Sequence, residues 1–265
     1  VAHDVVRRPY GRPPVLVLET REEMWTFMVG RFREKSERAI RERGRFSAGL
    51  SGGKTPEDLY LEMGRVGQDT EWGNIHIFLV DERFVPLGDD RSNYGMIKRT
   101  LLDKVPIPAA NVHSIETEES DLRTSALNYE ADLQRFFGTG PATIPAFDMI
   151  LLGMGQDGHT ASLFPGLSDL RVEKRLVREV EATLGTAARV TLTLPVINHG
   201  RTVFFLVTGK AKAGIVRRVV EERDPDLPAS LVAPLEGELF FVCDGEAASM
   251  LDKSTGRAKT AHSRG

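Results

Sequence analysis

The chain has 265 residues, of which 41% are hydrophobic and 28% charged, the balance of a globular protein with enough length for a sizeable core. Lys and Arg number 35 against 38 Asp and Glu, a net charge of -3, so no global basic field exists to draw in nucleic acid. Cys243 is the only cysteine, which excludes an intrachain disulfide framework and a cysteine-built zinc site, and no apolar run approaches the ~18 residues needed to span a bilayer.

The N-terminal stretch "VAHDVVRRPYGRPP" lacks the apolar segment of a secretory signal, so the expected compartment is cytoplasmic. "VLVLE" (15–19) reads as the first strand. Thr20 then caps a helix, with Glu23 three residues on to complete a capping box. Trp25, Met28, Val29, Phe32, Ser36, Ala39 and Ile40 follow at helical spacing, and Gly44 ends the element. "RFSAGL" (45–50) is a second strand, after which Thr55 with Pro56 at the first helical position opens a second helix. "IHIFLV" (75–80) is apolar throughout, as strands covered on both faces are. Ser92 starts a helix through Leu102, and 119–137 reads as another.

Beyond the Gly- and Pro-rich loop 137–146, "FDMILL" (147–152) is the next strand. "RVTLTL" (189–194) and "TVFFLV" (202–207) follow, then a helix near 210–222, then "ELFFVC" (238–243) and a short final helix at 245–251. Alternation of this kind predicts an α/β fold: a doubly wound, mostly parallel sheet with helices on both faces. There is no internal repeat, so residues 1–251 are expected to form one domain. The polar tail 252–265 has no apolar periodicity and is expected to fray.

Three loops leave the carboxyl ends of these strands, where open α/β sheets bind ligands. The first, in "AGLSGGKT" (48–55), nearly matches a nucleotide-binding P-loop, with Ala48 in place of its first glycine. "IFLVDE" (77–82) resembles the strand and acid that bind magnesium in such proteins. Spacing favours a different use. The strand occupies 45–50 and leaves only "SGGK" as loop, too short to wrap a β-phosphate but suited to a single phosphate at a helix start. The alternative is a plain Gly-Gly turn before a capped helix, with Lys54 in solvent.

The loop "GMGQDGHTASLFPG" (153–166) sets Asp157 two residues from His159. An imidazole titrates near 6.5 when unperturbed and accepts a proton from water at neutral pH. A neighbouring carboxylate fixes its tautomer, as in other hydrolytic sites, and glycines 153, 155 and 158 permit tight backbone geometry. The competing reading makes Asp157 a helix cap and His159 an ordinary polar residue. Arg83 leaves the third loop where it could grip a phosphate, or else it pairs with Asp81 or Glu82. Lys212, in "VTGKAKAG", starts a helix just past a strand and by spacing alone belongs to solvent.

"SGGKTP", "VDERFVP…DDRSNYGMIKRTLL", "FDMILLGMGQDGHTASLFPG", "RVTLTLPVIN" and "FFLVTGKAKA" together resemble the 6-phosphogluconolactonases, in order from about residue 15 to about residue 250. The resemblance implies a doubly wound α/β fold related to the glucosamine-6-phosphate deaminases and ribose-5-phosphate isomerase. It also implies hydrolysis of 6-phospho-D-glucono-1,5-lactone to 6-phosphogluconate, in the pentose phosphate pathway, without metal or cofactor. By that resemblance His159 is the general base and Asp157 its orienting acid. Ser51, Gly52, Gly53, Arg83 and Lys212 hold the phosphate. The expected partner is the small-molecule sugar-phosphate lactone, with no nucleic acid, membrane or obligate protein partner. The deaminases typically continue their D-G-H triplet with "IAFNEP" where this chain has "TASLFPG". Two departures from the lactonase pattern are Lys54, where a small residue is common, and "FFVCDGEAA", which lacks a Trp often seen there.

Overall fold

A computed structural model describes residues 12–118, 121–140, 143–167, 170, 174–183 and 186–252, and the backbone of 257–258. In chain order the elements are β1 (Val15–Leu18), α1 (Arg21–Arg43), β2 (Phe46–Leu50), α2 (Lys54–Val66), β3 (Ile75–Leu79), β4 (Asp81–Arg83), α3 (Asn93–Thr100), β5 (Val112–His113) and α4 (Leu122–Phe137). They continue with β6 (Met149–Leu152), β7 (Val177–Val180), β8 (Arg189–Leu192), α5 (Leu194–Ile197), β9 (Thr202–Val207), α6 (Ala213–Arg217), α7 (Pro228–Leu231), β10 (Glu238–Asp244) and β11 (Arg257–Ala258).

Eight strands form one sheet in the order β11-β1-β10-β9-β6-β2-β3-β5, and every pairing within it is parallel. Every residue of β2, β6 and β9 is buried, which requires both faces of the central strands to be covered. On one side of the sheet α1 packs with α2, and Phe32 of α1 meets Phe46 edge-on at 5.3 Å. Phe204 and Phe205 of β9 stack on Phe240 and Phe241 of β10 at 5.3 and 4.6 Å. Because successive strand residues point to opposite faces, these two pairs extend the apolar layers above and below the sheet.

From β2 the chain proceeds to β3 on one side, whereas from β6 it proceeds to β9 on the other. The winding therefore reverses between β2 and β6, and the loops at their carboxyl ends part there to leave a crevice. β4, β8 and β7 form a separate antiparallel sheet. "RVTLTL" thus builds this smaller sheet rather than the parallel one, and β7 and the two-residue β5 are strands the periodicity did not predict.

Helix ends follow the local chemistry. Thr20 accepts from the Glu23 N–H at 3.1 Å, and Glu23 reaches back to the N–H of Glu19, one residue before the cap. Gly44 closes α1 at φ 78°, in the left-handed region that favours glycine. α2 begins at Lys54 with Gly53 as its cap, two residues ahead of the predicted Thr55. Gly53, at φ 107°, makes that earlier entry possible. The Thr55 hydroxyl lies 2.8 Å from that of Thr208 instead of capping the helix. α3 starts from Ser92 as predicted but ends at Thr100, and a 3-10 turn, Leu102–Lys104, follows.

The 210–222 helix winds three ways: a 3-10 turn Lys210–Lys212, then α6, then a π turn Arg218–Glu222. No helix forms at 245–251, which is a run of turns. The Asp244 carboxylate accepts there from Ala247 N–H at 2.7 Å but also from Gly209 N–H at 2.9 Å, so it ties this turn to the end of β9. Apart from Asp252 and β11, the tail 252–265 lies outside the described residues, as do residues 1–11, 119–120 and 141–142 of the predicted segments. β11 pairs with β1, so Arg257 and Ala258 extend the sheet. Among the described residues, no helix is long and apolar enough to cross a membrane.

Candidate active site

The crevice between β2 and β6 opens into a cleft of about 270 Å³. Its walls bring together Ser51–Gly53, Arg83, His159 and Lys212, all expected from the sequence, with Asn93, Arg189 and Thr208, which were not. Asp157 is not among the lining residues and stands behind His159, half exposed.

The loop after β6 is folded on itself. Gly155 N–H donates to the His159 carbonyl at 2.8 Å, Gly158 N–H donates to the Gly155 carbonyl, and the Thr160 hydroxyl donates to the Gly153 carbonyl at 2.9 Å. Gly158 holds φ 82°. This geometry sets His159 Nδ1 2.6 Å from Asp157 Oδ1, which also accepts the His159 backbone N–H at 3.2 Å. Burial works to raise the Asp157 pKa, but the His159 backbone N–H and the adjacent ring outweigh it and hold the carboxyl below its usual range. An ionised Asp157 accepts only, so Nδ1 carries a ring proton, and in the neutral ring Nε2 is the nitrogen left with a lone pair. Phe164 packs against the imidazole, centroid to centroid 4.7 Å.

The opposite wall is the loop after β2. The Ser51 hydroxyl is buried without a hydrogen-bond partner among the described residues, and its carbonyl accepts from the Tyr60 hydroxyl at 2.8 Å. Beyond Gly53 the first turn of the 13-residue α2 presents backbone N–H groups that no carbonyl of its own helix can satisfy. Lys54 stands at the rim of the cleft, its side chain 78% exposed, and pairs with Glu57 and Asp58 at 3.2 and 3.7 Å. Its ammonium is thus committed to its own helix.

Lys212 does not run to solvent. Its Nζ donates to the Met154 carbonyl at 2.7 Å, inside the loop that carries His159. Burial lowers its pKa, opposed in part by the charge of Asp157. Arg83 pairs with neither neighbouring carboxylate by its side chain. Its Nη1 donates to the Arg91 carbonyl at 2.6 Å, and its Nε is buried without a partner. Arg189 stands directly across from Arg83 in the β4–β8 ladder. That cross-sheet pairing joins positions far apart in sequence, and no local pattern around Arg189 announces it.

Beneath the cleft, Glu82 is fully buried. Burial pushes its carboxyl up, against the pull of the backbone N–H groups that surround it. Oε1 accepts from the N–H of Arg83 and Asn93, each at 2.7 Å. Oε2 accepts from the Tyr94 N–H at 2.7 Å and the Ser92 hydroxyl at 3.1 Å. Glu82 therefore caps α3 from outside the helix and fixes Asn93, whose amide donates to the Asp81 carbonyl at 2.8 Å. A Cβ on Gly52 would fall 1.8 Å from Asn93 Oδ1, so the first glycine of the loop is required by this close approach.

Residues 19–241 match the family described as glucosamine-6-phosphate isomerases/6-phosphogluconolactonase. The chain is 40% identical to the 6-phosphogluconolactonase of Nostoc sp. over 82% of its own length and 89% of that protein. With the 6-phosphogluconolactonase of Homo sapiens it shares 36% identity over 79% of this chain and 82% of the other. Among solved structures it is similar to the 6-phosphogluconolactonase of Thermotoga maritima, with TM-score 0.75, 32% identity, and coverage of 88% of this chain and 100% of that one. A monomeric glucosamine-6-phosphate deaminase shares the fold, with TM-score 0.76 at 22% identity over 89% of this chain and 99% of that one.

Proposed function

The chain belongs to the glucosamine-6-phosphate isomerase/6-phosphogluconolactonase family, and from that premise we propose that it is a cytoplasmic hydrolase of 6-phospho-D-glucono-1,5-lactone. The observation that carries this reading is the His159–Asp157 pair. It faces a cleft whose opposite wall offers free helix-start amides, an unpartnered serine hydroxyl and cationic side chains.

In this reading the phosphate of the substrate lies against the Ser51–Gly53 loop and the start of α2, where N–H groups and the helix dipole favour an anion. Lys212 and Arg83 add positive charge. The lactone ring then extends toward His159. As a water oxygen attacks C1, Nε2 takes one of its protons. The carbonyl π pair moves onto oxygen to give a tetrahedral intermediate. On collapse the bond from C1 to the ring oxygen breaks, and that oxygen leaves with the proton held by His159. The acid so formed ionises to 6-phosphogluconate. Asp157 keeps the ring in the right tautomer and stabilises the transient imidazolium. A positioned base of this kind contributes about 10²–10⁴-fold, and the distant phosphate fixes the carbonyl against it.

A nucleoside triphosphatase finds less support. Lys54 does border the cleft, but its ammonium already pairs with Glu57 and Asp58 of its own helix, and strand β2 runs to Leu50, which leaves only a short loop before α2.

The test is the rate of 6-phosphogluconate release from freshly made lactone, read by coupled oxidation beside an enzyme-free blank. The proposal expects acceleration over the blank. A rate equal to the blank at high protein concentration would overturn it.

A further inference from the structure

Among the described residues that line the cleft, Arg189 is a cationic side chain to which the phosphate site of Ser51–Gly53, Arg83 and Lys212 gives no role. It enters on β8 directly opposite Arg83, yet the two guanidinium groups are held by different neighbours. Arg83 Nη1 is drawn to the Arg91 carbonyl. Arg189 Nη1 instead makes a long 3.5 Å bond to the Ser162 hydroxyl, and its Cζ sits 5.3 Å from the centre of the Phe164 ring. The same phenyl ring packs on His159 at 4.7 Å. Arg189 is therefore held by the loop that carries the base, and Phe164 of that loop contacts both the guanidinium and the imidazole.

Its charge is only partly matched. The nearest carboxylate oxygen, Asp81 Oδ2, is 4.0 Å away. That oxygen already accepts from the Ser162 hydroxyl at 2.7 Å, and Oδ1 from the Asn93 amide at 3.3 Å. An arginine has five donors in a planar fork, so most of this guanidinium's capacity is unspent at the cleft wall. Burial lowers its pKa, Asp81 and Glu82 work to raise it, and Arg83 repels it. An arginine remains a cation under these conditions.

Resting on the lactone reading above, we infer that Arg189 is a further catalytic residue at the reacting end, not another phosphate ligand. Negative charge appears twice at C1. The carbonyl oxygen becomes an oxyanion in the tetrahedral intermediate, and the product bears a carboxylate on the same carbon. A guanidinium set beside the base's own loop meets both. Donors aimed at a developing oxyanion typically contribute 10²–10³-fold, and the planar fork suits a carboxylate. The same contact makes Arg189 the group that retains product.

The experiment compares wild type with Arg189→Met and Arg189→Lys, each checked for folding by thermal melting. Two readouts are taken: kcat and KM for the phosphorylated lactone, and competitive inhibition by 6-phosphogluconate and by glucitol 6-phosphate, which lacks the carboxylate. The inference expects Arg189→Met to lower kcat by about 10²-fold with KM moved far less. It expects the inhibition constant of 6-phosphogluconate to rise at least about tenfold, the scale of one lost charged contact, with that of glucitol 6-phosphate unchanged. Arg189→Lys should fall between, and it decides alone if the Met variant does not fold. A raised KM with kcat retained, or equal weakening of both inhibitors, would make Arg189 a phosphate ligand and overturn the inference. If wild type itself fails to accelerate lactone opening, it is the underlying reaction that is wrong.

Discussion

Gly155 leaves no room for a side chain. A Cβ there would stand 2.1 Å from His159 Nδ1 and 2.3 Å from Asp157 Oδ1. Gly155→Ala should therefore push the acid–imidazole pair apart and lower kcat by about 10²-fold, the scale of a 1 Å misplacement of a reacting group. Met154, Thr160, Ser162 and Leu163 of the same loop are buried, so the thermal midpoint should fall as well, and kcat is read at a temperature where the variant is folded. A variant with wild-type kcat would show that the pair is not used as described. Lys212 gives a pH dependence at the same scale. Its pKa is lowered by burial, so its charge is lost sooner than usual as pH rises. Binding of glucitol 6-phosphate should accordingly weaken below the ordinary lysine range, and Lys212→Arg should abolish that weakening by keeping its charge. The same alkaline profile in both proteins would remove Lys212 from the phosphate site. The D-G-H and S-G-G stretches were legible because their parts are adjacent in sequence. Arg189, Asn93 and Thr208 were not, because each reaches the cleft only through pairing between distant strands and helices.

Among the elements, the strut beneath the Ser51–Gly53 loop carries the clearest consequence. Glu82 takes four donors on two oxygens, and Glu82→Gln replaces one acceptor with an NH₂ group that must face them. Losing hydrogen bonds to a buried charge costs about 1.5–3 kcal/mol. Chemical denaturation should show that loss. KM should rise more than kcat falls, since Asn93 and the loop behind it shift while the base does not. Unchanged stability would mean the protonated acid, not the carboxylate, fills this position. The element pattern itself was largely readable. Fully apolar strands, the Thr20 and Ser92 caps and the Gly44 stop are local signals, and each stands where it was expected. The second sheet was hidden because β4 has only three residues and β7, "VREV", carries two charges in four positions. The final helix was over-read: Asp244 is shared with Gly209 instead of capping a helical run.

At the scale of the whole molecule, the cleft exists because the winding of the sheet reverses between β2 and β6. One strand ends in a loop fit for an anion, its neighbour in a loop that holds an imidazole against a carboxylate. Alternation of strands and helices was enough to expect such an edge, though the strand order that brings these two loops together depends on pairings no short window contains. The account stands on one residue more than any other. Replacing His159 with Ala and following the opening of fresh 6-phosphogluconolactone, beside wild type and an enzyme-free blank, tests it most directly. The predicted result is a loss of about 10²–10⁴-fold in kcat with the binding of glucitol 6-phosphate retained. A His159→Ala protein that opens the lactone as fast as wild type would contradict the mechanism and return the base to be sought elsewhere in the cleft.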